Sequence, residues 1–136
     1  MGQTKGEHDI ESSEKTRHAV ETAAEGKAQK IAVYDVRGIS DVTDYYVIFT
    51  GSGLNHLRAL GKRIEDILAG RGIKPDHVDG KKAAGWLVFD YGDVIIHAML
   101  AQTRHYYDIE RLWGDAPRWE HKELISTIHE LATERK

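Results

Sequence analysis

Apolar residues recur along this chain with two periods, and the change from one period to the other predicts a mixture of strands and helices. Residues 31–36 (IAVYDV) and 44–51 (DYYVIFTG) are rich in β-branched and aromatic side chains, which favour strands. Residues 54–69 carry Leu and Ile at helical spacing with charged residues between them, as in an amphipathic helix. A weaker helical pattern runs from residue 10 to residue 30.

The region that follows predicts a hairpin and then a helical turn. Alternating runs at 86–90 and 93–100 flank Tyr91-Gly92, which suits a tight turn between antiparallel strands. Residues 103–112 then read as helical, before Gly114 and Pro117 end the pattern. Alternation in the second run predicts one face with Val94, Ile96, Ala98 and Leu100, and an opposite face with Ile95, His97 and Met99.

The predicted elements occur in the order helix, strand, strand, helix, a short strand near 76–79, hairpin and two helices. Hairpin strands next to helical connections predict an α/β (α+β) fold, in which helices pack on a mixed β-sheet. We expect residues 1–9 to be a disordered polar tail and residues 10–117 to be one folded domain. Residues 118–136 are predicted to be a helical extension, with a helix from Trp119 to Arg135.

Composition narrows the classes of function open to the chain. Its 136 residues suit one domain, and a net charge of −3 argues against a protein that binds nucleic acid mainly by neutralising phosphates. The absence of cysteine excludes disulfides, thiolate nucleophiles and Cys-bearing zinc sites. No apolar run approaches the roughly 20 residues that span a bilayer. The N-terminus lacks the apolar core of a signal peptide, so we expect a cytoplasmic location.

One Gly-rich turn is a candidate anion site. Thr50-Gly51-Ser52-Gly53 connects a predicted strand to a predicted helix, and backbone N–H groups at such a place can bind an anion. Nucleotidyltransferases use a similar Gly-Ser turn, but they also need an Asp-x-Asp pair on a nearby strand to hold metal ions. No such pair follows the helix, and the turn lacks the Lys of a P-loop. We therefore expect a structural turn and no cofactor.

Asp90, Asp93 and His97 are the candidates for acid–base chemistry. Both aspartates flank a tight turn, where Asp is favoured because its side chain hydrogen-bonds nearby backbone. A His in mid-strand is more often a hydrogen-bonded, partly buried residue than a base, and the eight histidines show no metal-binding spacing. We expect no catalytic residue and no metal site, with a nucleotidyltransferase-like enzyme as the alternative.

Aromatic and Arg side chains cluster in the same region, and these residue types anchor protein interfaces. Arg104, Tyr107 and Trp113 lie within ten residues of one another. Trp86 shares a strand face with Asp90, which indicates that this face is not fully buried. The pattern predicts a surface that binds another molecule, and it leaves open which aromatic rings close the core.

The same residues resemble the Iojap family, the bacterial ribosomal silencing factors. The similar segments are WLxxDYGDVIIH (86–97) and TRxxYDIERLWGD (103–115), with TDYYVI (43–48), TG (50–51) and LRAL (57–60) upstream. The resemblance covers about residues 10–117. The family usually has Ser-Asn-Arg-Gln at the start of its central helix, where this chain has Gly53-Leu54-Asn55-His56.

The resemblance implies a role without catalysis, on a nucleotidyltransferase-like fold that lacks the active site. It implies binding to the large ribosomal subunit through the fourteenth protein of that subunit, which blocks joining with the small subunit and represses translation under nutrient limitation. It implies neither a membrane partner nor sequence-specific nucleic-acid contacts, and it leaves open a homodimer when free and a role in large-subunit assembly. The partner-binding residues that it suggests here are Trp86, Leu87, Asp90, Tyr91, Asp93, Arg104 and Tyr107.

Overall fold

A computed structural model describes residues 11–81 and 85–120 of the chain. These residues form a mixed β-sheet, three α-helices and one 3-10 helix, which confirms the predicted α/β class. The elements are α1 (Ser12–Glu25), β1 (Gln29–Asp35), β2 (Tyr45–Gly51), α2 (Leu54–Ala69), β3 (His77–Lys81), β4 (Trp86–Asp90), β5 (Val94–Leu100), α3 (Ala101–Tyr107), the 3-10 helix (Ile109–Trp113) and β6 (Arg118–Glu120).

The six strands form one sheet in the order β3-β4-β5-β2-β1-β6. β2 and β5 run parallel, with Ile48 opposite His97, and the other neighbouring pairs are antiparallel. The predicted hairpin is confirmed, since Trp86 pairs with Met99 and the chain reverses at Gly92, which has φ +86°. A glycine suits this turn because it adopts positive φ without a steric penalty.

α1 and α2 cover one face of the sheet and enclose the main core. The spacing of α2 predicts one apolar stripe of Leu57, Leu60, Ile64, Ile67 and Leu68, and all of these are buried except Ile67, which is 45% exposed. Gly61 on the same stripe allows close approach, because a Cβ there would lie 2.3 Å from Cζ of Phe89. α2 therefore packs directly on β4 with no room for a larger residue.

The opposite face of the sheet carries a second, smaller core. Ala32, Ile48 and Met99 are fully buried there, and residues of the 3-10 helix pack over them. The alternation predicted for β5 is confirmed, since Val94, Ile96 and Ala98 face the helical layer while Met99 faces the second core. The sheet is thus covered by apolar residues on both faces, as its central parallel pair requires.

Two predicted helices end earlier than their patterns suggested. α1 stops at Glu25 because Gly26 caps it and Lys27 turns into the left-handed region, with φ +72°. The helical turn predicted at 103–112 is split in two at Asp108, whose φ of +48° interrupts the backbone helix. The residues after Asp108 therefore point in directions that one continuous helix would not give them.

The predicted C-terminal helix is wrong at its start. Arg118–Glu120 form strand β6, in which Trp119 pairs with Val33 of β1. The sheet consequently extends beyond residue 117, where the domain was expected to end. The rest of the predicted extension, from residue 121, and the predicted tail at 1–9 lie outside the described residues.

Candidate functional site

Aromatic side chains pack together on the sheet face opposite α1 and α2. Trp113 of the 3-10 helix stacks on Tyr46 of β2, with ring centroids 4.1 Å apart and planes 9° from parallel. Tyr107 of α3 lies against Trp86 of β4 with centroids 5.0 Å apart. We call this surface the aromatic face and define it by Tyr46, Trp86, Tyr107 and Trp113, together with the exposed side chains beside them.

His97 lies buried at the centre of the aromatic face. The indole Nε1–H of Trp86 donates to Nδ1 of His97 over 3.0 Å, and the His97 ring contacts those of Tyr46 and Trp113. Burial lowers the pKa of His97 to about 4, so the ring is neutral near pH 7 and its Nδ1 can accept this hydrogen bond. His97 therefore orients Trp86, and it makes no contact with Asp90 or Asp93 that would form an acid–base set.

Large apolar side chains project from the aromatic face. Tyr106 and Leu112 are each 78% exposed and Tyr107 is 51% exposed. Ile39, from the connection between β1 and β2, is also exposed. A groove of about 470 Å³ lies between Ile39 and the 3-10 helix. Clustered apolar exposure of this kind marks an interaction surface more often than scattered single residues do.

Arg104 ties this surface to the sheet. Its Nε donates to Oε2 of Glu110 over 2.7 Å, and its Nη1 donates to the carbonyl of Lys30 over 2.8 Å and to Oγ1 of Thr50 over 3.0 Å. The side chain is only 11% exposed. Arg104 therefore joins α3 to the 3-10 helix, β1 and β2, beneath the exposed side chains of the aromatic face.

The Glu110 carboxylate accepts further hydrogen bonds. The Tyr34 hydroxyl donates to Oε1 of Glu110 over 2.5 Å, and Arg118 Nε donates to the Tyr34 oxygen over 2.8 Å. Burial alone would raise the pKa of Glu110, but hydrogen bonds from Arg104 and Tyr34 and the nearby positive charges outweigh it and lower that pKa. Burial, with Glu110 beside it, raises the pKa of Tyr34 to about 12. Glu110 therefore stays ionised and paired with Arg104 near neutral pH, while the Tyr34 hydroxyl keeps its proton.

Of the seven residues expected to bind a partner, Trp86 and Tyr107 lie on the aromatic face. Asp90 shares their side of the sheet, but its Oδ1 accepts the Gly92 N–H over 2.8 Å, as a turn residue does. Asp93 forms an ion pair with Lys15 of α1 at 2.8 Å. Its carboxylate thereby fastens the hairpin turn to the helical layer.

Two of the seven expected residues are buried in the main core. Leu87 and Tyr91 are 9% and 5% exposed and pack with the core beneath the helices. Strand alternation explains the difference, because neighbouring residues of β4 point to opposite faces of the sheet. Residues contiguous in the motif are thus not contiguous on the surface, since Leu87 and Tyr91 lie in the core whereas Trp86 and Tyr107 lie on the aromatic face.

Comparison with known proteins agrees with this architecture. A family model described as "Ribosomal silencing factor during starvation" matches residues 9–136. The chain belongs to this family. A ribosomal silencing factor from Halalkalibacterium halodurans is 32% identical over 108 residues, which cover 79% of this chain and 92% of that protein. A crystal structure of a protein from Chromobacterium violaceum superposes with a TM-score of 0.74 at 30% identity, over 77% of this chain and 88% of that one.

Two relatives come from organelles. The mouse protein named "Mitochondrial assembly of ribosomal large subunit protein 1" is 35% identical over 89 residues, which cover 63% of this chain and 39% of that protein. The maize protein named "Protein Iojap, chloroplastic" is 32% identical over 94 residues, covering 69% of this chain and 41% of that protein. The Iojap resemblance is therefore confirmed.

The Gly-Ser turn of this silencing-factor-family chain is held by a histidine. The Ser52 N–H donates to Nδ1 of His56 over 2.9 Å, and Nε2 of His56 contacts the Gly26 carbonyl at 2.8 Å. These two contacts use the ring to join the turn to the end of α1. Within residues 11–81 and 85–120, no group of three His, Asp or Glu side chains is placed to hold a metal ion.

Several residues of the surface were missed by reasoning from the sequence. Tyr46 has no role in the prediction from the sequence, and Ile39 and Leu112 are not among its candidate residues. The exposure of Leu112 follows from the break at Asp108, which the apolar pattern does not reveal. The only available signal is the apolar character of Ile39 within a polar connection. None of the described helices is long and apolar enough to cross a membrane.

Proposed function

We propose that this protein is a ribosomal silencing factor that docks on the large ribosomal subunit through its aromatic face, against the fourteenth protein of that subunit. One observation carries the proposal. In a chain that belongs to the silencing-factor family, Tyr106, Tyr107 and Leu112 project from a rigid support on one side of the sheet. A few anchor side chains, Tyr prominent among them, supply most of the binding free energy in protein interfaces, and the apolar contacts around them exclude water.

The support under these anchors favours tight binding. Tyr107 rests on Trp86, which is held by His97, and Arg104 fixes the helical segments around it. A surface that is ordered before binding loses less conformational entropy when it binds. The aromatic face is therefore suited to bind a preformed protein surface with few changes in its own structure.

The proposed action requires no bond to be made or broken, so the protein acts without catalysis. A domain of this length has a radius of gyration of about 14 Å. A body of that size on the intersubunit side of the large subunit leaves no room for the small subunit to approach. The two would exclude each other, and the extent of silencing would follow from their concentrations and affinities. When the protein is free, the same apolar face is available to a second copy of the chain.

Co-sedimentation with purified large and small subunits tests the proposal. The doubly substituted Tyr106→Ala/Leu112→Ala protein should bind large subunits at least about tenfold more weakly, because both side chains are 78% exposed and their loss removes contact area while the packing of Tyr107 on Trp86 stays intact. Its thermal unfolding should match that of the unsubstituted protein. Ile67→Ala, which removes an exposed apolar side chain from α2 on the other side of the sheet, is the matched control and should bind normally.

A photocrosslinker identifies the protein that is contacted. With p-benzoylphenylalanine in place of Tyr107, irradiation on large subunits should yield a crosslink to their fourteenth protein. Equal binding to both subunits, or unchanged binding by the double variant, would contradict docking through the aromatic face. A crosslink to a different large-subunit protein would support docking through the aromatic face and contradict the fourteenth protein as the partner.

The mouse relative's name favours a second function, assembly of the large subunit. An assembly role would use the same aromatic face, so binding to mature large subunits does not distinguish assembly from silencing. Association with precursor particles, followed by their accumulation when the protein is depleted, would support assembly. The enzyme alternative requires Mg²⁺-dependent nucleotide transfer that is lost on Asp90→Asn or Asp93→Asn.

A further inference from the structure

A second apolar surface lies on the α2 side of the sheet, away from the aromatic face. A groove of about 810 Å³ runs between α2 and the outermost strand β3. Leu87 and Phe89 of β4 form its floor together with Val78 of β3, which is 53% exposed. Gly80 stands opposite Leu87 in the pairing of the two strands, so β3 places no side chain beside Leu87. The floor is therefore apolar, and Val78 is its exposed member.

The packing of α2 creates this groove. Because Gly61 lets α2 pack against Phe89, the helix covers β4 and leaves β3 extending beyond it. β3 is the end strand of the sheet formed by the described residues, and it pairs with β4 alone. On the outer side of such a strand, backbone N–H and C=O groups are unpaired and can form a ladder with another extended segment.

The rim of the groove is basic. Arg58, Lys62 and Arg63 of α2 line it and are exposed, with Glu65 as the acidic residue among them. Lys62 pairs with Asp66 at 3.3 Å, whereas no residue in the described part of the chain forms an ion pair with Arg58 or Arg63. The positive charge at the rim is thus available to a partner with carboxylates.

We propose that this groove binds an extended acidic segment of another protein. The segment adds to β3 as a further antiparallel or parallel strand, places alternate apolar side chains against Val78, and presents flanking carboxylates to Arg58 and Arg63. The surface lies on the opposite side of the sheet from the aromatic face, so this segment and the ribosomal partner bind independently. The protein would then carry a second partner onto the particle it occupies.

Fluorescence anisotropy with a labelled peptide tests this inference on the full chain. The peptide alternates Val and Thr over five residues and carries two Glu at each end, and a matched peptide carries Lys in place of Glu. The acidic peptide should bind saturably and the basic one at least about tenfold more weakly. Val78→Glu should weaken acidic-peptide binding by about tenfold or more, because it puts a like charge on the apolar floor.

Arg63→Glu supplies an independent variant on the helix, and Lys74→Glu, the same reversal of charge at an exposed residue that does not line the groove, is its charge-matched control. Only the former should weaken the peptide complex, and amide hydrogen exchange in β3 should slow when the acidic peptide binds. Equal binding of both peptides, or binding unaffected by Val78→Glu, would overturn the proposal. Self-association that Val78→Glu abolishes, with no peptide binding, would overturn it in favour of a contact between copies.

Discussion

At the scale of single residues, the hydrogen bond between Trp86 and His97 shows how a polar group can serve a docking surface from within. His97 occupies a mid-strand position that sequence alternation assigns to this face, and its character as a hydrogen-bonded histidine could be predicted. Its hydrogen-bond partner could not be predicted, because Trp86 lies on the neighbouring strand and pairs there with Met99 and not with His97. The neutral imidazole accepts the indole N–H and fixes the ring that supports Tyr107.

The pKa of His97 predicts a pH dependence of stability. The unfolded chain titrates near the ordinary value of 6.5, whereas the folded protein titrates at about 4. Between these values only the unfolded state binds the proton, so the free energy of unfolding should fall as pH drops from 6.5 towards 4, by up to roughly 3 kcal/mol. Urea unfolding at several pH values measures this slope. His97→Gln retains a hydrogen-bond acceptor without the titration, and an equally steep slope in that variant would rule out His97 as its origin.

At the scale of elements, the strands and α2 could be predicted because their apolar periods are strong and local. The arrangement of residues 101–120 could not. Asp108 breaks the helix by adopting a left-handed conformation. Asp tolerates this conformation, but an Asp in the sequence does not predict it. β6 forms because Arg118–Glu120 pair with β1, and Arg118 is 84 positions from its partner Tyr34. No local pattern in the sequence predicts so distant a pairing. Two of the seven expected site residues, Leu87 and Tyr91, lie in the core for a related reason, because alternation along the chain turns them away from the aromatic face.

Arg104 provides the test of how these short elements are held. Arg104→Ala should destabilise the protein by about 2–4 kcal/mol, because it removes several hydrogen bonds and leaves the Glu110 carboxylate half-buried without its main partner. Arg104→Lys should recover little of this, since an ammonium cannot reproduce the forked contacts. Both variants should also weaken binding to large subunits, through displacement of α3. Denaturant unfolding measures the first effect, and the exposed Arg111→Ala is the control, expected to leave stability within about 0.5 kcal/mol.

At the scale of the whole molecule, the proposed silencing is a competition between two bodies for one side of the large subunit. Competition of this kind has a quantitative signature, because the small subunit and the protein cannot be bound together. The concentration of protein that half-inhibits subunit joining should rise linearly with the concentration of free small subunits, from an intercept set by the affinity of the protein itself. Light scattering at several small-subunit concentrations measures this relation. A half-inhibiting concentration that stays constant would show that the protein acts without excluding the small subunit, for instance by altering the large subunit from elsewhere, and steric silencing would then be wrong even if the aromatic face is the site of docking.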